Sequence, residues 1–199
     1  MEFSFVNIFR YLMSLTPLFM ISFLLMVSVL NQNVKGLVYL SGILIVALVT
    51  IGLKHAFKRT TMGTNDACQM FEWPSFISDF TTPDFSSMFL SFTMMYITLP
   101  MAYKAAPLNI LLIILMLLFI VGNAVTRFTN ECNEIIDIVI GNLIGGGLGV
   151  AYFFAFWASN NKKLLFIDDI VSNNVSCQRP SKQTFKCAVY KNGQLVKNL

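Results

Sequence analysis

The chain has 199 residues, of which 56% are hydrophobic and 12% are charged, with a formal net charge of +4. An ordinary soluble domain has roughly 45–50% apolar and about 25% charged residues. This composition therefore excludes a soluble globule and a nucleic-acid-binding domain that depends on a basic surface.

Charge-free runs predict the architecture. They cover residues 11–34, 36–53, 85–103, 105–126 and 138–161. A helix that spans a membrane needs about 20 predominantly apolar residues. We therefore predict an all-α, polytopic membrane bundle of about five transmembrane helices in residues 1–161, followed by an extramembrane tail, 162–199. The predicted spans lie near residues 14–31, 36–53, 85–103, 107–126 and 138–158.

The third and fifth spans carry signs of helix packing. The third contains five hydroxyl side chains, Ser86, Ser87, Ser91, Thr93 and Thr98, so we expect it to face other helices rather than lipid. Pro100 is expected to kink or end this helix, and Pro107 to open the fourth span. In the fifth span, Gly141, Gly145 and Gly149 recur every four residues, which predicts a close helix–helix packing face.

The distribution of charges predicts the topology. Segments 1–10, 54–84 and 127–137 share one membrane face and carry five basic and eight acidic residues, whereas the opposite face carries nine basic and two acidic residues. Cytoplasmic segments are enriched in Lys and Arg. We therefore expect the tail on the cytoplasmic or inner face and the 54–84 loop outside.

The tail differs in composition from the bundle. An Asn192-Gly193 pair between two short β-prone runs predicts a β-hairpin. Cys177 and Cys187 form a disulfide there or remain free thiols in a reducing compartment. On the opposite face, Cys68 and Cys132 are candidates for a second disulfide.

Charged residues at span ends are the candidate chemical groups. Lys54, Arg127 and Asp137 all project from the same face. Two cations beside a carboxylate are suited to binding a phosphate, although Lys and Arg also commonly snorkel at helix ends and Asp favours helix starts.

The spacing from Arg127 through Asn133 and Asp137 to Gly141 resembles the third signature of the type 2 phosphatidic acid phosphatase family, Ser-Arg-x5-His-x3-Asp. The first signature, Lys-x6-Arg-Pro, is similar to Lys54 followed by Thr61-Met62, with Arg59 nearby. The second, Pro-Ser-Gly-His, aligns with 85–88 or with 74–77. The resemblance implies a phosphate-binding remnant whose members are Lys54, Arg59, Ser86, Arg127 and Asp137.

Two departures from the family bear on function. The resemblance implies a nucleophilic histidine where Asn133 stands and an acid histidine where Met88 stands. Asn has no basic nitrogen and Met has no transferable proton, so neither nucleophilic nor general acid catalysis can use these positions. We therefore expect a catalytically inactive, phosphatase-like integral membrane protein with a structural or scaffolding role and no cofactor or metal ion.

Two other hypotheses remain open at this stage. One is an active lipid phosphate phosphatase with displaced catalytic groups, for which His55 and Cys132 are the candidates. The other is a more specific form of the structural role, in a virion membrane. The lipid bilayer is then the main partner, and the tail docks to other membrane or capsid proteins.

Overall fold

The structure is a computed structural model that describes residues 8, 12–59, 80, 82–103, 108–159 and 164–165, and the backbone of 188–191 and 194–198. Five helices are described over their full length: α1 (Thr16–Leu30), α2 (Lys35–Phe57), α3 (Phe85–Ala102), α4 (Ile110–Thr129) and α5 (Ile135–Ala158). Two strands follow: β1 (Ala188–Lys191) and β2 (Gln194–Asn198).

Four of these helices, α2 to α5, are long and apolar enough to cross a membrane. The shortest, α3, has 18 residues, or about 27 Å at 1.5 Å per residue, close to the ~30 Å hydrocarbon core of a bilayer. Helix α1 is apolar but has 15 residues. The predicted all-α bundle is confirmed, with four helices that are long and apolar enough to span a membrane, and a fifth crossing by α1 stays a prediction.

Helix α3 lies at the centre of the bundle and packs most closely against α5. The glycines of α5 allow this approach. A Cβ at Gly145 would lie 2.1 Å from the Met88 carbonyl oxygen, and one at Gly149 would lie 2.7 Å from that of Phe92. The two backbones are therefore in direct contact, which a side chain at either position would prevent.

Helix α2 covers another face of α3. The Tyr39 hydroxyl lies 2.8 Å from the Thr93 hydroxyl, and the Thr50 hydroxyl lies 3.3 Å from the Met88 sulfur. The helices are antiparallel, so the end of α2 lies beside the start of α3. The hydroxyl-rich sequence of α3 is thus turned toward neighbouring helices, where its polar atoms find partners within the protein.

Helix caps explain where the central helices begin. The Asp84 carboxylate accepts a hydrogen bond from the Ser87 amide at 2.8 Å, and the Asn109 side chain accepts one from the Leu112 amide at 3.1 Å. Both are N-cap interactions that satisfy amides of the first turn. Pro100 lies inside α3 two residues before its end, and Pro107 lies outside the described residues.

In the tail, β1 and β2 pair antiparallel, with Ala188 opposite Asn198 and Lys191 opposite Gln194. The turn residues Asn192-Gly193 and both tail cysteines, Cys177 and Cys187, lie outside the described residues. The hairpin tail as a folded unit, and its disulfide, therefore stay predictions.

Candidate functional site

Buried polar side chains gather at one end of the bundle, where α2 and α4 end and α3 and α5 begin. We call this set the polar cluster; its members are Thr82, Asp84, Ser86, Ser87, Asn123, Arg127, Asn133 and Asp137. Each of these residues exposes at most 4% of its surface. Such groups are costly to bury at the edge of a membrane unless they satisfy one another.

Asp84 is the hub of the polar cluster. Its Oδ1 accepts a hydrogen bond from the Asn133 amide nitrogen at 2.7 Å and lies 3.6 Å from Arg127 Nε. Its Oδ2 accepts from the Ser87 amide at 2.8 Å and from the Ser87 hydroxyl at 2.6 Å. Both carboxylate oxygens are therefore engaged by groups of the protein itself.

Asp137 belongs to a second, adjoining ion pair. Its Oδ1 accepts from the Thr82 hydroxyl at 2.6 Å and lies 3.6 Å from an Arg59 nitrogen. Its Oδ2 accepts from the Glu134 amide at 3.1 Å, which caps α5. Arg59 also donates to the Glu134 carboxylate at 3.0 Å, in an exposed pair.

The polar cluster extends into α4 through Asn123. The Ser86 hydroxyl donates to Asn123 Oδ1 at 2.9 Å, and Asn123 Nδ2 donates to the Ser87 hydroxyl at 3.3 Å. One amide thus ties α4 to the first turn of α3. Asn133 differs, because its Oδ1 is buried and accepts no hydrogen bond among the described residues.

Lys54 borders the polar cluster on α2 and is 2% exposed. The buried face of α2 runs through Val46 and Thr50 to Lys54, and Thr50 contacts Met88. One further turn of α2 therefore places Lys54 at the level of the first turn of α3. Its ammonium makes no ion pair within the described ranges.

The structure thus brings together four of the residues chosen from sequence: Ser86, Arg127, Asn133 and Asp137. Arg59 lies at their edge and Lys54 beside them. The partners differ from those that the family resemblance implies, because Asn133 and Arg127 both contact Asp84 rather than Asp137.

Other candidates lie apart from the polar cluster or outside the described residues. The Met88 side chain is fully buried in the core, where it contacts Thr50. His55 is exposed, with its ring centroid 6.0 Å from that of Phe80. Thr61-Met62, the alternative motif placement at 74–77 and Cys68 fall outside the described residues.

Cys132 is 3% exposed and disulfide-bonded. The other three cysteines of the chain lie outside the described residues, so the pairing with Cys68 stays a prediction. A sulfur held in a disulfide is not a thiolate, and only the thiolate is nucleophilic. Cys132 in this form cannot attack phosphorus.

Sequence reasoning missed Asp84, Thr82 and Asn123. Asp84 could have been recognised, since an Asp directly before an apolar run is an N-cap pattern. Thr82 and Asn123 carry no such signal. Within the described ranges no group of three or more His, Cys, Asp or Glu side chains is arranged to hold a metal ion.

Comparisons with known proteins add no assignment: no family model, no curated protein and no solved structure matches the chain. The interpretation of the polar cluster therefore depends on its own geometry.

Proposed function

We propose that the protein is a catalytically inactive, phosphatidic-acid-phosphatase-like integral membrane protein with a structural or scaffolding role. One observation carries the proposal. At the position where the resemblance implies the nucleophile, the Asn133 amide donates to the Asp84 carboxylate at 2.7 Å. The lone pair of this amide nitrogen is delocalised and unavailable for attack, and its hydrogen bond stabilises and positions a buried carboxylate.

The charges of the site also support a structural role. Three cations, Lys54, Arg59 and Arg127, lie among three carboxylates, those of Asp84, Glu134 and Asp137. A site for a phosphate monoester needs surplus positive charge, whereas these groups balance to a formal charge of zero. The segments predicted to share this membrane face carry eight acidic and five basic residues, an excess that opposes the approach of a dianion.

The alternative of an active phosphatase with displaced groups lacks a nucleophile among its candidates. His55 is exposed on the side of α2 next to Phe80, and Cys132 is bonded to another sulfur. Neither offers a basic nitrogen or thiolate beside Arg127. These positions favour the inactive reading.

Two observations bear on the finer membrane arrangement. Residues 12–14 are helical just before α1, so the apolar segment 12–30 reaches about 28 Å at 1.5 Å per residue, which supports a fifth crossing. The Cys132 disulfide favours an oxidising compartment for the polar cluster. This agrees with a tail on the cytoplasmic face, as the excess of Lys and Arg predicts.

A hydrolysis assay tests the proposal. The purified full chain, reconstituted in vesicles, is incubated with phosphatidic acid and separately with an isoprenoid diphosphate, beside an active lipid phosphatase as positive control. We expect phosphate release equal to that of empty vesicles, for the native chain and for Arg127→Ala. Release above this background that disappears in Arg127→Ala would overturn the proposal.

A further inference from the structure

An apolar cleft opens between α1 and α4, over α3, in the half of the bundle away from the polar cluster. Its volume is about 610 Å³. On α3 it is lined by Ile97, five residues before the helix end, and on α4 it begins at Leu112, the third residue of the helix. The walls and floor come from three different helices, so this is a recess rather than a flat lipid-facing surface.

The cleft is closed at the end nearest the polar cluster. A Cβ at Gly122 of α4 would lie 2.8 Å from the Met13 sulfur, so the two walls meet there. Toward the opposite membrane face the lining continues to Leu24 on α1. An acyl chain from the leaflet opposite the polar cluster therefore reaches the cleft without passing the Met13–Gly122 contact.

The chemistry of the lining excludes water as its occupant. Thr16 is the one lining residue with a polar side-chain atom among those described, and its hydroxyl donates to the Leu12 carbonyl at 3.3 Å. A buried water needs two to four polar partners, and this lining does not offer them. The lining therefore matches a hydrocarbon occupant.

The length of the cleft indicates which hydrocarbon fits it. The lining on α1 extends from Leu12 to Leu24, about 18 Å along the helix. An extended acyl chain matches this length, because 18 Å is close to the depth of one leaflet of a ~30 Å hydrocarbon core.

The mouth of the cleft is continuous with the surface that faces lipid. Leu115 of α4 is 41% exposed, and Phe19 and Phe23 of α1 are 58% and 59% exposed. In a bilayer these side chains contact acyl chains directly. We propose that one acyl chain of a membrane phospholipid, from the leaflet opposite the polar cluster, occupies this cleft and joins α1 to the α3–α4 pair.

Photolabelling tests the proposal. The full chain is reconstituted in vesicles of phosphatidylcholine that carries a diazirine on its acyl chain, irradiated and analysed by peptide mass spectrometry. The floor residues Met20, Ile97 and Met116 expose 7%, 2% and 3% of their surface, so surrounding lipid does not reach them unless a chain enters the cleft. We expect label at these floor residues as well as on the outer surface.

Two matched variants of α4 sharpen the test. Leu115→Trp fills the cleft and should reduce floor labelling to that of an unirradiated sample, whereas Leu118→Trp, at a 59% exposed position outside the lining, should leave it unchanged. Floor residues that stay unlabelled in the native chain, or equal labelling in both variants, would overturn the proposal.

Discussion

Replacing Gly145 by alanine should separate the two central helices. A Cβ at this position would lie 2.1 Å from the Met88 carbonyl oxygen and 2.6 Å from the Met88 Cα. Close carbon–oxygen contacts between helices lie at about 3.3–3.6 Å. The helix axes must therefore move apart by more than about 1 Å, because backbone atoms cannot rotate away as a side chain would.

The expected cost follows from what holds this pair together. Within a membrane, helices associate mainly through van der Waals packing and hydrogen bonds, and forcing a methyl group into a packed core costs about 1–3 kcal/mol. Separation of α3 and α5 also strains the contact of Gly141 with the Asp84 backbone. We expect Gly145→Ala to lower the free energy of unfolding by about 3 kcal/mol.

Gly147 provides the matched control on the same helix. A Cβ there meets nothing within 4 Å, so Gly147→Ala should be neutral or stabilising by up to about 1 kcal/mol through helix propensity. Thermal unfolding of both variants in the same detergent micelle, followed by circular dichroism, measures the difference. Equal melting temperatures would refute direct backbone contact between α3 and α5.

Three further predictions concern the polar cluster. Arg59→Gln should cost about 1–3 kcal/mol of unfolding free energy: its exposed pair with Glu134 contributes little, but its loss removes a cation beside the buried Asp137 carboxylate; unchanged stability would contradict this. Asn123→Leu should lower the free energy of unfolding by about 1–3 kcal/mol, since the Ser86 and Ser87 hydroxyls lose a hydrogen-bond partner. A variant that melts at the same temperature as the native chain would show that this amide contributes nothing to stability. Cys132 should react with a maleimide in the unfolded protein only after reduction, and labelling of Cys132 before reduction would contradict the disulfide.

The spans were predictable because charge is expensive in lipid, so charge-free runs mark the helices. The residues at which the helices end were less predictable. Helix α4 continues through Arg127 to Thr129, beyond the charge-free run, since this cation is buried beside Asp84 rather than solvated. Helix α2 likewise continues past the buried Lys54 to Phe57.

The members of the polar cluster were partly predictable, but their partners were not. The spacing from Asn133 to Asp137 is that of neighbours on one helix face. Asn133, however, precedes α5, whose N-cap is Glu134, so its amide lies outside the helical repeat and reaches Asp84 on another element. Contacts of this kind depend on tertiary approach, here on the glycine face of α5, and leave no local pattern in the sequence.

The central claim is that the polar cluster holds the bundle together rather than catalysing a reaction. A double-mutant cycle of Asp84→Asn and Arg127→Met tests it most directly, with unfolding free energy and phosphate release from phosphatidic acid measured on the same four proteins. Removing one partner of a buried pair costs about 3–5 kcal/mol, so we predict that each single variant is destabilised, that the double variant recovers part of the loss, and that phosphate release stays at background throughout. Release above background that falls in Arg127→Met, at unchanged stability, would contradict the claim.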